Sequence, residues 1–298
     1  MAARTVHRLS YREGEGKHSY GELYRRLQLA IDAVRLRTRV DTSSRVARWL
    51  AALSRLAAVE RRSVLEHMVV SLRRGSWHHP YRDSFRALAD SRMFIEIVEQ
   101  LLPDVSDRDL RDLVLGNSDP ALDKPSTRAR DREFELFVAA ISRRSGLAVE
   151  LNEPDIVLRL NNSTRSIAAK RLLSPKKVEE NVKKATKQIE KAGHPGFIFL
   201  DVTRILDPGC LIVTHWTRAD QTVGGHLLCF INTEHREDLV RKRGEYVRGI
   251  VLHSAFPHVS PNFQYGTYET WWGVPVEGTD GQEVNALLDH LLLGLNDT

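Results

Sequence analysis

The sequence predicts an α+β protein in which a helical N-terminal part precedes a core of mixed strands and helices. Three observations lead there. From His18 to about Leu115 the apolar residues recur at helical spacing, as in Leu23, Leu27, Ile31 and Val34 and then Val46, Leu50, Leu53 and Leu56. The segment from Gly116 to Thr127 is crowded with turn formers that interrupt helical and strand periodicity alike. Beyond it, short strand-like runs alternate with helix signals. These readings divide the chain into a basic helical domain over residues 1–125 and a second domain over 126–298.

Breaks near Asp41-Thr-Ser-Ser, Gly75 to Pro80 and Pro103-Asp-Val-Ser-Asp leave room for five or six helices in the first part. The second part opens with a helix from about Arg130 to Ser145, stopped by Gly146. Strands follow at Leu147 to Leu151, Asp155 to Leu160 and Ser166 to Leu172, the last two joined as a hairpin through Asn161-Asn-Ser-Thr164. Ser174 and Pro175 then read as N-cap and first helical residue. Val178, Val182, Ala185, Ile189 and Ala192 form one apolar stripe before Gly193 ends the helix. Gly196 to Thr203 is nearly continuous in apolar residues, the pattern of a strand covered on both faces. A helix near Asp220 or Thr233 to Tyr246, a strand from Val247 to Ala255 and a final apolar helix from Glu283 to Leu295 complete the expectation.

The chain has 298 residues, 42% of them hydrophobic, enough to bury a substantial core. Its N-terminus lacks the apolar run of a secretory signal and no stretch is long enough to span a bilayer, so a cytoplasmic protein without a membrane partner is expected. Cys210 and Cys229 lack metal-ligand spacing and read as two buried thiols. The twelve histidines show no HExxH or other regular spacing, which argues against a zinc site. Trp271-Trp272, with Tyr265 and Tyr268, read more readily as core than as a base-stacking surface.

Charge is unevenly spread. Residues 1–130 hold 24 Lys and Arg against 17 Asp and Glu, and of those cations only Lys17 and Lys124 are lysines. Arginine forks suit phosphate contacts, whereas the plainer reading is a set of solvated helix faces. A second basic run, Arg165 to Lys191, holds nine Lys and Arg against three glutamates. Such a surface attracts a polyphosphate backbone and makes binding salt-dependent.

Within that run lies the chemistry. Asp155 opens one strand of the expected hairpin and Lys170 lies on its partner, so both side chains can reach one point. Phosphodiester hydrolysis uses such a cluster: a carboxylate holds Mg²⁺, the ion polarises phosphate and activates water, and an ammonium orients that water or neutralises developing charge. Glu135 on the preceding helix offers a second carboxylate, with Asp131 and Glu133 as neighbours in competition for the role, and Gln188 on the following helix offers a polar group.

The order α-β-β-β-α-β, with Pro154-Asp155, Ala168-Ala-Lys170 and the helix leading to Gln188, resembles the PD-(D/E)xK nuclease superfamily over roughly residues 130–206. The resemblance implies a restriction-endonuclease-like fold with a mixed central sheet and a Mg²⁺- or Mn²⁺-dependent endonuclease acting on DNA. It places the catalytic roles on Glu135, Asp155, position 168, Lys170 and Gln188, with metal ligands at Asp155, position 168 and Glu135. It also implies a role in restriction or anti-phage defence, with a homodimer or a defence-system protein as partner.

Ala168 departs from the motif, which places an acidic residue there. Either an acid has been replaced and the chain disabled, or the domain is a naturally inactive nucleic-acid-binding or assembly module. Retention of Asp155, Lys170 and Gln188 favours the first, and Glu153 or Glu135 offers a third route by supplying the missing ligand. A helical protein-interaction adaptor is the remaining class; it predicts tight protein partners and no salt-sensitive nucleic-acid binding.

Overall fold

The computed structural model describes residues 7–12, 20–57, 82–115, 128–152, 155–206, 212–213, 216–241, 244–259 and 265–296. The expected breaks at Gly75 to Pro80 and at 116–127 lie outside them, as does Cys210. A strand β1 (His7–Arg12) comes first, followed by α1 (Tyr20–Arg35), α2 (Arg45–Ala57), α3 (Arg82–Leu101) and α4 (Asp107–Val114). Ser106 caps α4 by accepting a hydrogen bond from the backbone N–H of Asp109.

The next stretch follows the expected order α-β-β-β-α-β: α5 (Arg128–Arg144), β2 (Val149–Leu151), β3 (Ile156–Leu160), β4 (Ser163–Arg171), α6 (Val178–Ala192) and β5 (Gly196–Asp201). Local chemistry explains its joints. Asn161 and Asn162 both adopt positive φ, at 50° and 60°, the conformation a two-residue hairpin loop demands and asparagine tolerates. Gly193 ends α6 in the left-handed region, where its N–H reaches back to the Ile189 and Glu190 carbonyls. Ser174 does not cap through its side chain; its carbonyl accepts from Lys177 in a 3₁₀ turn over Pro175–Lys177, and the α-helix begins only at Val178.

After β5 come α7 (Thr203–Leu206), β6 (Ile212–Val213), α8 (Trp216–Cys229), a π turn (Phe230–Glu234), α9 (Arg236–Val240), β7 (Val247–Val259), β8 (Tyr265–Pro275) and α10 (Gln282–Asn296). The eight strands form one sheet in the order β1-β8-β7-β5-β4-β3-β2, with β6 beside the far end of β7. β4, β5 and β7 run parallel to one another, and the flanking pairs are antiparallel, so the sheet is mixed. β1 was not foreseen, and it places a segment from the expected helical domain at the edge of the sheet.

Strand alternation divides the sheet's apolar side chains between two cores. Ile167, Ala169, Phe197 and Phe199 face one core together with α1 to α5 and α10. Ala168, Ile198, Leu200 and Leu252 face the other, under α6, α8 and α9. Helices therefore cover both faces, which accounts for the unbroken burial of β5. The first core runs without a break from the N-terminal helices into the sheet. At Gly196 the backbones come so close that a Cβ would sit 2.1 Å from the Ser166 carbonyl oxygen. Trp271, Trp272 and Tyr268 are core residues. Cys229 is exposed rather than buried, because it lies off the face of α8 that carries Val223 and Leu227.

Arg25, Arg35, Arg39, Arg48, Arg108 and Arg111 lie on exposed faces, as the plainer reading expects, whereas Arg45, Arg92 and Arg130 are buried in ion pairs. Arg45 is fully buried against Glu133, at 2.9 and 3.1 Å, and donates a further bond to the Leu113 carbonyl. Arg130 pairs with Asp90, Arg144 with Glu96, and Arg92 with Glu269 on β8. These pairs tie the helices to one another and to the sheet. Among the described residues no helix is long and apolar enough to cross a membrane.

Candidate active site

β3 and β4 pair from Leu160↔Ser163 to Ile156↔Ile167, and Asp155 lies just before the first paired residue of β3. It therefore sits where the two strands part, beside the C-terminal end of β4. Its Oδ2 accepts from the Ala169 N–H at 2.9 Å and from Lys170 Nζ at 3.0 Å. Lys170 also donates to the Ala169 carbonyl at 2.8 Å, which holds the ammonium back over its own strand.

α5 brings Glu135 to the same ammonium, with Oε1 3.9 Å from Lys170 Nζ. Its neighbour Glu133 points elsewhere, into the buried pair with Arg45. Two positions along a helix is about 200° of rotation, so one of these glutamates can serve the interior and the other the site. From the opposite core, α6 supplies Gln188, whose Nε2 donates to Asp155 Oδ1 at 3.4 Å. Glu135, Asp155, Lys170 and Gln188 thus form one cluster from three secondary-structure elements and a strand entrance. Glu153 and Pro154 lie outside the described residues.

Ala168 shares a strand face with Lys170 but is fully buried, within the apolar cluster that includes Val178, Val182, Ala185 and Leu200. It gives the site no donor atom. Among the described residues no group of three or more His, Cys, Asp or Glu side chains is arranged to hold a metal.

The electrostatics reflect two carboxylates crowded into a half-buried place. Burial raises the Glu135 pKa, the Asp155 charge raises it further, and Arg132 and Lys170 oppose the rise, leaving it at about 7. Burial also raises the Asp155 pKa, against the pull of Lys170 and the Ala169 N–H. A divalent cation would relieve this crowding. Mg²⁺ is commonly held by one or two carboxylates, with water and substrate phosphate filling the remaining positions. Asp155 and Glu135 fit that donor chemistry.

Sequence reasoning missed Arg132 and Asp109. Arg132 Nη1 donates to Glu135 Oε2 and Nη2 to Asp109 Oδ2, each at 2.9 Å. The spacing of Arg132 and Glu135, one helical turn apart, was a usable signal. Asp109, 23 residues upstream of Arg132 on another helix, carried none.

The basic run is partly neutralised, by its own glutamates and by carboxylates outside it. Lys183 pairs with Glu179 and Lys184 with Glu180, at 2.7 and 2.6 Å, while Arg165 reaches Glu283 and Arg171 reaches Asp201. Lys176 and Lys187 are exposed. Comparison of this chain with protein-family models, curated proteins and solved structures finds no match.

Proposed function

We propose that the protein is a metal-dependent nuclease of restriction-endonuclease-like fold, acting on DNA, whose catalysis in this chain is disabled by Ala168. The observation that carries the reading is the convergence of Asp155, Glu135 and Lys170 where β3 and β4 part, within an α-β-β-β-α-β unit. Asp155 and Glu135 would hold the Mg²⁺ or Mn²⁺ ion. When bound, that ion would polarise the phosphate and lower the pKa of a water molecule.

Lys170 has two tasks within reach of its ammonium: orienting the attacking water and offsetting charge that develops on the phosphate. Gln188 holds Asp155 Oδ1, which keeps the carboxylate turned toward the lysine. Exposed Lys176 and Lys187, before and on α6, offer cations for a DNA backbone. With Ala168 the donor set lacks the third carboxylate, so metal affinity is low and turnover is lost. The helical part, tied to the sheet by buried arginine pairs, is a scaffold suited to engaging substrate, a defence-system partner or a second copy of the chain.

The alternative, a naturally inactive nucleic-acid-binding module, draws support from the same position. Ala168 is wholly enclosed by apolar neighbours, and Lys170 closes directly on Asp155. The deciding experiment incubates the chain and its Ala168→Glu form with supercoiled DNA, linear DNA and RNA, with Mg²⁺, Mn²⁺ or EDTA. Metal-dependent cleavage by the glutamate form alone supports the nuclease. If neither form cuts while both bind DNA in a salt-sensitive way, the module reading takes its place. Cleavage by both shows that the site needs no acid at 168.

A further inference from the structure

We infer that Asp109 and Arg132 are positioning residues through which the helical part sets the metal affinity of the Glu135–Asp155 pair. The inference rests on the metal-binding reading of that pair. Its basis is a chain of contacts that crosses from α4 to the site. Ser106 Oγ donates to Asp109 Oδ2 at 2.8 Å, and the same oxygen accepts from Arg132 Nη2 at 2.9 Å. Arg132 Nη1 holds Glu135 Oε2 at 2.9 Å, and Glu135 Oε1 faces Lys170.

The geometry divides the guanidinium between two carboxylates on different helices. An arginine facing a single carboxylate tends to take both oxygens in a forked pair. Here Asp109 claims one side of the fork, so Glu135 gives up only Oε2 and keeps Oε1 turned toward Lys170. Outer contacts of this kind orient ligating carboxylates, and their loss commonly weakens metal binding about 10-fold to 100-fold.

Asp109 is fixed in turn by the packing of α4. It lies in the first turn behind the Ser106 cap, and Leu110, Leu113 and Val114 of the same helix are buried. Arg37 on the loop after α1 grips Asp107 and the Leu102 and Val105 carbonyls, which joins α4 to the rest of the helical part. A substrate or partner that shifts α4 against α5 therefore pulls on Arg132 and changes how Glu135 is presented.

A double-mutant cycle read by Mn²⁺ binding tests this. Mn²⁺ is titrated calorimetrically into the full chain and its Ala168→Glu form, each with Asp109→Asn, Arg132→Gln or both, after thermal melting has shown every variant to be folded. Asp109→Asn should weaken Mn²⁺ binding about 10-fold. The effect should largely vanish once Arg132 is glutamine, because Arg132 carries the contact from Asp109 to Glu135. An unchanged affinity in Asp109→Asn, or an equal loss with and without Arg132, overturns the inference and leaves the metal reading intact. Absence of Mn²⁺ binding by both parent forms overturns the metal reading and this inference with it.

Discussion

His253 and Asp201 face each other across the parallel strands β7 and β5, with Nδ1 3.4 Å from Oδ1 and both residues buried. On the other side His253 Nε2 lies 3.5 Å from Glu269 Oε1, on β8. Strand register sets this row: Arg171 opposes Asp201, Asp201 opposes His253, and His253 opposes Trp271. Arg171 and Arg92 pair with the outer edges of the two carboxylates, and Phe134, Phe137 and Trp271 pack around the imidazole ring. The result is a buried line of alternating charge across four strands, ending one residue from Lys170.

The row predicts how stability responds to pH. Burial pulls the His253 pKa down, but the facing carboxylates of Asp201 and Glu269 outweigh it, so it stands above the usual 6.5. Burial raises both carboxylates, and their cationic neighbours outweigh it, leaving each at about 2. Stabilisation by the histidine is complete below about 6.5 and is lost as the pH rises through its elevated folded value. Stabilisation by the carboxylates is complete above about 4.5 and is lost as the pH falls toward 2. Removing one member of a buried ionic set costs roughly 3–5 kcal/mol. Denaturant melts should show His253→Gln less stable by about that amount at pH 5.5, with the gap to the parent narrowing at alkaline pH. A gap that widens on alkalinisation would falsify the charged-imidazole account.

Arg45 and Glu133 make the corresponding prediction for the helical part. Arg45→Met strands a buried carboxylate and should cost roughly 3–5 kcal/mol in urea unfolding. Adding Glu133→Leu should recover most of that loss, since an apolar pair of similar volume replaces an ionic one without leaving a charge behind. Failure of the double variant to recover would mean that the bond from Arg45 Nε to the Leu113 carbonyl, not the ion pair, dominates.

What the sequence made legible follows the range of each signal. The α-β-β-β-α-β order could be read because its markers are local: Gly146 and Gly193 at helix ends, two asparagines at a hairpin, and the stripe Val178, Val182, Ala185 and Ile189. Asp155, Lys170 and Gln188 were within reach because that order places them at one strand end. The buried arginines were not told apart from the solvated ones because their partners lie far along the chain, 88 residues from Arg45 and 177 from Arg92. The His253 row was invisible for a related reason, since its members become neighbours only through the register of β5, β7 and β8. Nothing in periodicity marked β1, whose pairing with β8 brings His7–Arg12 beside residues 268–273.

If the proposed nuclease function holds and the Ala168→Glu form cuts DNA, Lys170 gives a test of mechanism. Its ammonium is held by Asp155 and by the Ala169 carbonyl, so methionine there removes the charge while keeping much of the side-chain bulk. Plasmid cleavage by Ala168→Glu/Lys170→Met should fall about 100-fold to 10,000-fold, the range for loss of a positioned proton-handling group. Mn²⁺ binding should persist, because Asp155 and Glu135 remain. Loss of both together would make Lys170 a structural counter-ion rather than a participant in the reaction.

Under the proposed function, the distribution of lysines on α6 predicts which charges would meet DNA. Lys183 and Lys184 each have a glutamate one turn earlier on the helix, so part of their charge is already answered. Lys187 is exposed and lies one residue before Gln188, the position that reaches into the site. A phosphate contact releases counterions, and each one lost should reduce the slope of log binding constant against log salt by about 0.9 on duplex DNA. Lys187→Gln should therefore flatten that slope by about 0.9 and weaken binding at low salt, whereas Lys183→Gln should change it less. Equal effects at both positions would show that DNA senses the net charge of α6 rather than a contact beside Gln188.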